Sequence, residues 1–233
     1  MDYSLLVSGT LLRRYKRFLA DVLLDDGREV TAHCANTGAM TGLAVAGSRV
    51  WLSFHDNPRR KLTWSWELVE GFTPAGPLLA SVNTSRTNAL VREALEADRI
   101  IRQIAAIKAE VTVADARLDF KVDHGQNMVT WIEVKQVTLL QNDGVGAFPD
   151  AVSARALRHV EALVQRVAAG DRALLLFCAT HAGIQRVRTA DDIHPAYAEA
   201  VNRAAAKGVE VSAYGCRITP SAMTLTHPLP VQL

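Results

Sequence analysis

Cysteine is scarce in this chain of 233 residues, and the three present, Cys34, Cys178 and Cys216, lie far apart with no Cys-x-x-Cys pair among them. A disulfide scaffold or a structural zinc site is therefore not expected, and three reduced thiols in or near cores are. Long hydrophobic runs are also lacking. The longest, such as Ala173 to Ala179, falls far short of a bilayer's width, so no membrane partner is expected. Met1 to Leu12 has neither the basic start nor the apolar stretch of a secretory signal, and the expected compartment is the cytoplasm. A strong charge of one sign is absent, the net charge being +2. The chain as a whole is thus no strongly basic nucleic-acid binder, and local charge has to be read instead. No glycine-rich phosphate loop, nucleophile elbow, recognition helix or zinc finger is legible, nor any repeat or low-complexity tract.

What is present is a core-forming composition, 49% hydrophobic and 21% charged. In the first seventy residues the apolar positions alternate. Phe18, Ala20, Val22 and Leu24 precede an Asp25-Asp26-Gly27 turn. Val30, Ala32 and Cys34 follow, then Val50, Leu52 and Phe54, then Trp64, Trp66 and Leu68. Period two between turn residues predicts antiparallel strands with one buried face. With an opening strand near Leu5 to Leu12 there are about five, a count that fits a small barrel of the OB type and fits another small barrel or sandwich nearly as well. Pro74, Gly76, Pro77, Ser81, Asn83, Thr84 and Ser85 then change the texture, and a domain boundary is expected near residue 80, dividing the chain into 1–80 and 81–233.

Beyond it, Leu90, Val91, Ala94, Leu95 and Ala97 recur at helical spacing with Thr87 or Asn88 as cap. Strands are expected over 116–122 and 128–140, joined by a turn at Asp123-His124-Gly125. A helix through Val152 to Val167, a buried strand from Ala173 to Ala179, a helix from Pro195 to Lys207 and a final strand from Val209 to Ile218 complete an α/β (α+β) reading.

Glu133-Val134-Lys135 stands inside an otherwise apolar strand. Successive strand side chains alternate faces, so Glu133 and Lys135 point the same way. If the preceding hairpin turns near Gly125, Asp119 pairs with Trp131 and has Glu133 as its same-face diagonal neighbour. Two carboxylates so placed can hold a hard divalent cation such as Mg²⁺, with an ammonium group beside it to position a water. Solvated strand residues with Lys135 as a simple ion-pair partner are the competing reading.

Five segments run through the chain in order: 12–22 (Leu-Arg-Arg-Tyr-Lys-Arg-Phe-Leu-Ala-Asp-Val), 33–38 (His-Cys-Ala-Asn-Thr-Gly), 56–61 (Asp-Asn-Pro-Arg-Arg-Lys), Glu133-Val134-Lys135, and 148–152 (Phe-Pro-Asp-Ala-Val). Together they resemble the sugar fermentation stimulation protein A family over essentially the whole chain. The resemblance implies an N-terminal OB-fold domain and a C-terminal domain of the PD-(D/E)xK restriction-endonuclease-like superfamily. It also implies DNA binding and a regulatory link to sugar (maltose) metabolism. The superfamily's metal-binding acid and Glu-x-Lys pair fall on Asp119, Glu133 and Lys135, with Mg²⁺ or Mn²⁺ as the metal. Gln136 departs from the asparagine expected in many relatives. Glu93, on the helix before these strands, is a further candidate acid, weighed equally against a solvent-facing helix residue.

Two basic clusters are the candidate DNA contacts: Arg13, Arg14, Lys16 and Arg17, interleaved with Tyr15 and Phe18, and then Arg59, Arg60 and Lys61 in a loop after Pro58. Tyr15 is open to stacking on a base, whereas Phe18 belongs to the apolar alternation and is expected in the core, as are Trp64 and Trp66. Asp150 reads as a helix N-cap and second as a metal neighbour. Arg155 and His159, four apart on a helix, read as phosphate contacts or as a solvated basic face. The function expected is DNA binding of low sequence specificity, with Mg²⁺-dependent hydrolysis by Asp119, Glu133 and Lys135. The alternative is a non-catalytic DNA-binding regulator, and a homodimer is entertained.

Overall fold

The computed structural model of the chain describes residues 1–73, 76–113 and 116–233; Pro74, one of the expected boundary residues, lies outside them. The first half is a barrel of β1 (Leu6–Tyr15), β2 (Leu19–Leu24), β3 (Glu29–His33), β4 (Arg49–Phe54) and β5 (Trp64–Thr73). The strands pair in the order β3-β2-β1-β4-β5, and a parallel pairing of Ala32 with Trp64 closes the ring. Closure removes the sheet edges that an open five-stranded sheet would expose. The alternating residues explain the interior: Ala20, Val22, Leu24, Ala32, Val50, Leu52 and Trp66 are buried around Leu11 and Met40 in one cluster. A sixth strand, β6 (Gly76–Ser81), adds to β5.

The second half is an α+β domain. Helix α1 (Ser85–Glu96) leads into β7 (Ala106–Val113), β8 (Ala116–Asp123) and β9 (Val129–Val137). After β10 (Leu139–Leu140), a short 3-10 turn and β11 (Val145–Phe148) come α2 (Ala154–Ala168) and β12 (Arg172–Ala179). The chain ends with β13 (Arg186–Thr189), α3 (Pro195–Ala206), β14 (Glu210–Ile218), β15 (Met223–Leu229) and β16 (Val231–Gln232), so β14 is not the final strand. The main sheet has the order β15-β14-β12-β9-β8-β7, and a smaller one the order β10-β11-β13-β16.

β12 pairs in parallel with β9 and β14 on either side, which is why seven consecutive residues from Ala173 to Ala179 are apolar and buried. One sheet face packs Trp131, Leu175 and Phe177 against Val160, Leu163, Tyr197 and Val201 of α2 and α3. The other packs Ile132, Leu174 and Leu176 against α1 and against Tyr3 and Leu68 of the first half. Each such side chain removed from water contributes about 1.5–3 kcal/mol. The barrel and the α+β domain therefore share an apolar layer.

The helix ends differ from expectation. α2 is capped by Ser153, whose Oγ accepts the Ala156 amide at 3.2 Å, and Asp150 lies three residues upstream. Val152 stays outside the helix, 73% exposed. α1 starts at Ser85, so Thr87 and Asn88 stand in its first turn and not at its cap. Gly170, with φ +90°, ends α2 in the left-handed conformation that glycine adopts without strain.

Candidate functional site

β8 and β9 pair over Asp123↔Val129, Val122↔Thr130, Lys121↔Trp131 and Phe120↔Ile132. One residue further, this register sets Asp119 level with Glu133 and not with Trp131. The hairpin loop centres on Gln126, because His124 N–H bonds Met128 O at 3.0 Å across it. Moving the centre by one residue moves the register by two, which keeps face parity. The pairing stops at Phe120, and the amide of Val134 donates instead to Asp119 Oδ2 at 2.8 Å. Asp119 Oδ1 accepts from Asn88 Nδ2 of α1 at 2.7 Å.

Glu133 is 2% exposed and Lys135 9%. Lys135 Nζ donates to Glu133 Oε1 at 2.6 Å, and His159 Nδ1 of α2 meets the same oxygen. Arg155 Nε donates to His159 Nε2 at 3.3 Å. An ionised carboxylate only accepts, so the Nδ1 proton of the ring faces Glu133. His159 is thus a buried partner of the acid, which excludes the solvated basic face. The second carboxylate oxygen, Glu133 Oε2, is buried without a hydrogen-bond partner.

Burial, and then repulsion from Glu133, push the Asp119 carboxyl up to about 6, against the opposing hydrogen bonds from Val134 and Asn88. Burial also acts on Glu133, but the Lys135 ammonium and His159 outweigh it and hold that carboxyl below its ordinary range. These groups face a cleft of about 510 Å³ between the two halves of the molecule. Its barrel side carries Arg17, Asn36, Thr37 and Gly38, and its other side Asp119, Glu133, Lys135, Gln136, Asp150, Arg155 and His159. Among the described residues no three His, Cys, Asp or Glu side chains converge as a ready metal cage. Two carboxylates, one with an open buried oxygen, fit a hard cation that completes its shell with water.

The barrel wall is held by Arg14, whose guanidinium donates to the carbonyls of Arg17, Asn36 and Gly38 at 2.8, 2.9 and 3.0 Å. Gly38 approaches Asp150 so closely that a Cβ there would lie 2.2 Å from Asp150 Oδ2. Asp150 also accepts the Met40 amide at 3.4 Å, a contact between the halves that takes the place of the expected cap. Across the same junction Glu67 pairs with Arg86 of α1 at 2.9 Å.

The other sequence candidates fall elsewhere. Glu93 pairs with the amino terminus of Met1, is 44% exposed and does not line the cleft. Arg13 lies over Tyr15 and bonds Asp21, while Arg60 bonds Ser65 at 2.7 Å. Lys16, Arg59 and Lys61 are exposed on the barrel away from the cleft, whereas Arg17, also exposed, lines it. Trp64 and Trp66 are buried as expected, but Phe18 is 47% exposed. The roles of two contributors escape the sequence reading. In both cases the sequence singles out the residue and not its role: Asn88 is expected as a helix cap and holds Asp119, and His159 is expected on phosphate or in solvent although it shares a helical face with Ala156, Val160 and Leu163.

Two family descriptions match the chain: "SfsA N-terminal OB domain" over residues 12–72 and "Sugar fermentation stimulation protein RE domain" over residues 85–222. A sugar fermentation stimulation protein homolog of Chromohalobacter salexigens is 54% identical, with 100% of this chain and 95% of that one covered. A homolog from Pseudomonas putida is 47% identical over 98% of this chain and 97% of that one. Among solved structures, Pyrococcus furiosus SfsA in complex with Ca²⁺ superposes with a TM-score of 0.90 at 22% identity, covering 100% of this chain and 98% of that one.

Proposed function

The chain belongs to the sugar fermentation stimulation protein family, and from that premise we propose that it binds DNA with little sequence specificity and hydrolyses phosphodiester bonds in the interdomain cleft, using Mg²⁺ or Mn²⁺ held by Asp119 and Glu133. One observation carries this reading: a buried carboxylate oxygen, Glu133 Oε2, has no partner beside a second carboxyl raised to about 6, in an open polar cleft. A structural ion pair would be expected to satisfy both oxygens, because leaving one bare costs about 1–3 kcal/mol. The Ca²⁺ complex of the Pyrococcus furiosus relative supports a divalent cation in this fold.

A cation bound there supplies a Lewis acid and a water of lowered pKa. The chain's own residues do the rest. Asp119 and Glu133 give hard oxygen ligands, and the hydrogen bonds from Val134, Asn88 and His159 fix their orientation. Lys135 has an ammonium group next to the acid, where it orients the attacking water and offsets negative charge developing on the phosphate. Arg17 stands across the cleft, and the exposed Arg13, Lys16, Arg59 and Lys61 give the barrel phosphate contacts. Among the described residues no helix is long and apolar enough to cross a membrane, and we place the protein in the cytoplasm, where its substrate is.

The test is cleavage of duplex, single-stranded and branched DNA with Mg²⁺, Mn²⁺ or EDTA. Asp119→Asn and Glu133→Gln are expected to abolish cutting while DNA affinity stays level or rises. Lys135→Ala is expected to cut more slowly by about 10²-fold or more while still binding metal. Wild type inert on every DNA form, with metal present and folding confirmed, overturns the nuclease. The reading left is then a non-catalytic DNA-binding regulator of sugar (maltose) metabolism, which the lack of a third acidic ligand among the described residues favours.

A further inference from the structure

A second hollow, of about 520 Å³, opens on the barrel and is lined by Phe18, Leu19, His33, Arg60, Lys61 and Leu62. Its lining surface is apolar, the exposed Lys61 stands among its lining residues, and no Asp or Glu does. Phe18 is the residue out of place. Ala20, Val22 and Leu24 of the same alternation are buried at 0–2%, whereas the Phe18 ring is 47% exposed. Just before it Lys16 and Arg17 hold left-handed backbone angles, φ +48° and +65°. Neither is glycine, so the turn is held at some cost. Its result is that Arg17 lines the active cleft while the next residue, Phe18, lines the hollow. Consecutive Cα atoms lie about 3.8 Å apart, so one strand of a polymer can touch both sites.

A half-exposed aromatic ring with Lys61 lining the same hollow matches a ligand that is planar and apolar in one part and anionic in the next. A nucleotide with an unpaired base has that form, and a base inside a duplex hides its face in the stack. We propose that this hollow seats an unpaired nucleobase of single-stranded DNA on Phe18, with the neighbouring phosphates on Lys61 and Arg17, so that the strand is led from the barrel into the cleft. The inference deepens the DNA-binding reading above and names the substrate as DNA with an unpaired stretch.

The experiment needs no cleavage. Fluorescence anisotropy in EDTA, with the full chain, compares a labelled oligo-dT with a duplex of mixed sequence, for wild type, Phe18→Ala, Phe18→Tyr and Lys61→Ala. Phe18→Ala is expected to weaken oligo-dT binding by about 5- to 150-fold, the range for loss of one aromatic–base stack, with less than about a two-fold change on duplex. Phe18→Tyr keeps the ring and should bind like wild type, and Lys61→Ala should weaken both DNAs and flatten their salt dependence. Because Phe18 is half exposed, thermal melts of the variants should match wild type. Oligo-dT binding unchanged in Phe18→Ala, or lost equally on both DNAs, or not kept by Phe18→Tyr, overturns the seat. Failure of wild type to bind either DNA overturns the DNA-binding reading itself.

Discussion

Two glutamates lie buried at the junction of the molecule's halves, and they are treated differently. Glu67 is 0% exposed and saturated. Its Oε1 accepts from Ser53 Oγ at 2.7 Å and Arg86 Nη2 at 2.9 Å, and its Oε2 from Asn83 Nδ2 and Arg86 Nε, both at 3.0 Å. Glu133 is as deeply buried, yet both of its donors crowd onto Oε1 and Oε2 is left bare. Burying a charge is unfavourable unless partners replace the lost water. Glu67 meets that condition within the chain and serves the architecture. Glu133 meets it only by half, and in the function proposed above the cation would supply the rest.

The comparison breaks first on stability. Glu67→Gln puts an amide among four donors and strips Arg86 of its counter-charge, which should destabilise the protein by about 3–5 kcal/mol in urea melts. Glu133→Gln should cost clearly less without metal, since it ends the repulsion on Asp119 and leaves that carboxylate facing Lys135. A Glu133→Gln variant weaker than Glu67→Gln would undo the contrast.

The next effect depends on pH. The Asp119 carboxyl is raised to about 6, so it favours the fold fully below its unfolded pKa and loses that contribution as pH rises through 6. Asp119→Asn does not titrate there, and its amide can still face Val134 N–H and a flipped Asn88. In EDTA it should therefore gain on wild type by up to about 3 kcal/mol at pH 8 and by little at pH 4. Glu133, held low, loses its stabilising contribution only as pH falls below its ordinary range, outside most of this window. A difference between wild type and Asp119→Asn that is flat from pH 4 to 8 would contradict a carboxyl raised by burial and by repulsion from Glu133. Mg²⁺ at about 100 times its Kd should return about 2.7 kcal/mol to wild type and nothing to Asp119→Asn.

Smaller again is the effect of orientation. His159→Ala removes one of the two donors that turn Glu133, and should weaken Mn²⁺ binding by about 10-fold or somewhat more, read by calorimetry. An unchanged affinity would make His159 mere packing. Least in energy is the surface: replacing Lys16, Arg17, Arg59 and Lys61 together by alanine should reduce the salt slope of duplex binding by about 0.9 for each phosphate that is no longer neutralised. Arg14→Ala should instead lower stability, because its guanidinium holds backbone carbonyls.

The strands of the first half were legible because a sheet with one buried face must alternate, and Val22, Leu52 and Trp66 carry that pattern openly; alternation fits a sandwich nearly as well, and it was the family resemblance that implied the OB barrel. Glu133 and Lys135 were legible as charges inside an apolar strand. What escaped depends on distances that a sequence does not hold. The hairpin register turned on whether the loop centres at Gly125 or Gln126. Phe18 obeys the inward alternation but is carried outward by two left-handed residues before it. Asp150 has the residue type of a cap, yet Ser153 stands where the helix begins and the barrel loop claims Asp150. Glu93 lies on the right helix, but Asn88, on the same helix, reaches Asp119 while the amino terminus takes Glu93.

Gly38 fixes a dimension. With 2.2 Å between its absent Cβ and Asp150 Oδ2, the gap between the barrel loop and the wall of the α+β domain is gauged by a single hydrogen atom. A methyl group at that point would act as a shim, displacing either the Asp150 carboxylate or the Arg14-braced loop. Opening size and metal chemistry would then be adjustable separately, since the shim touches neither Asp119 nor Glu133. A graded series from glycine through alanine to serine at residue 38 offers a caliper for the thickness of strand that the cleft admits.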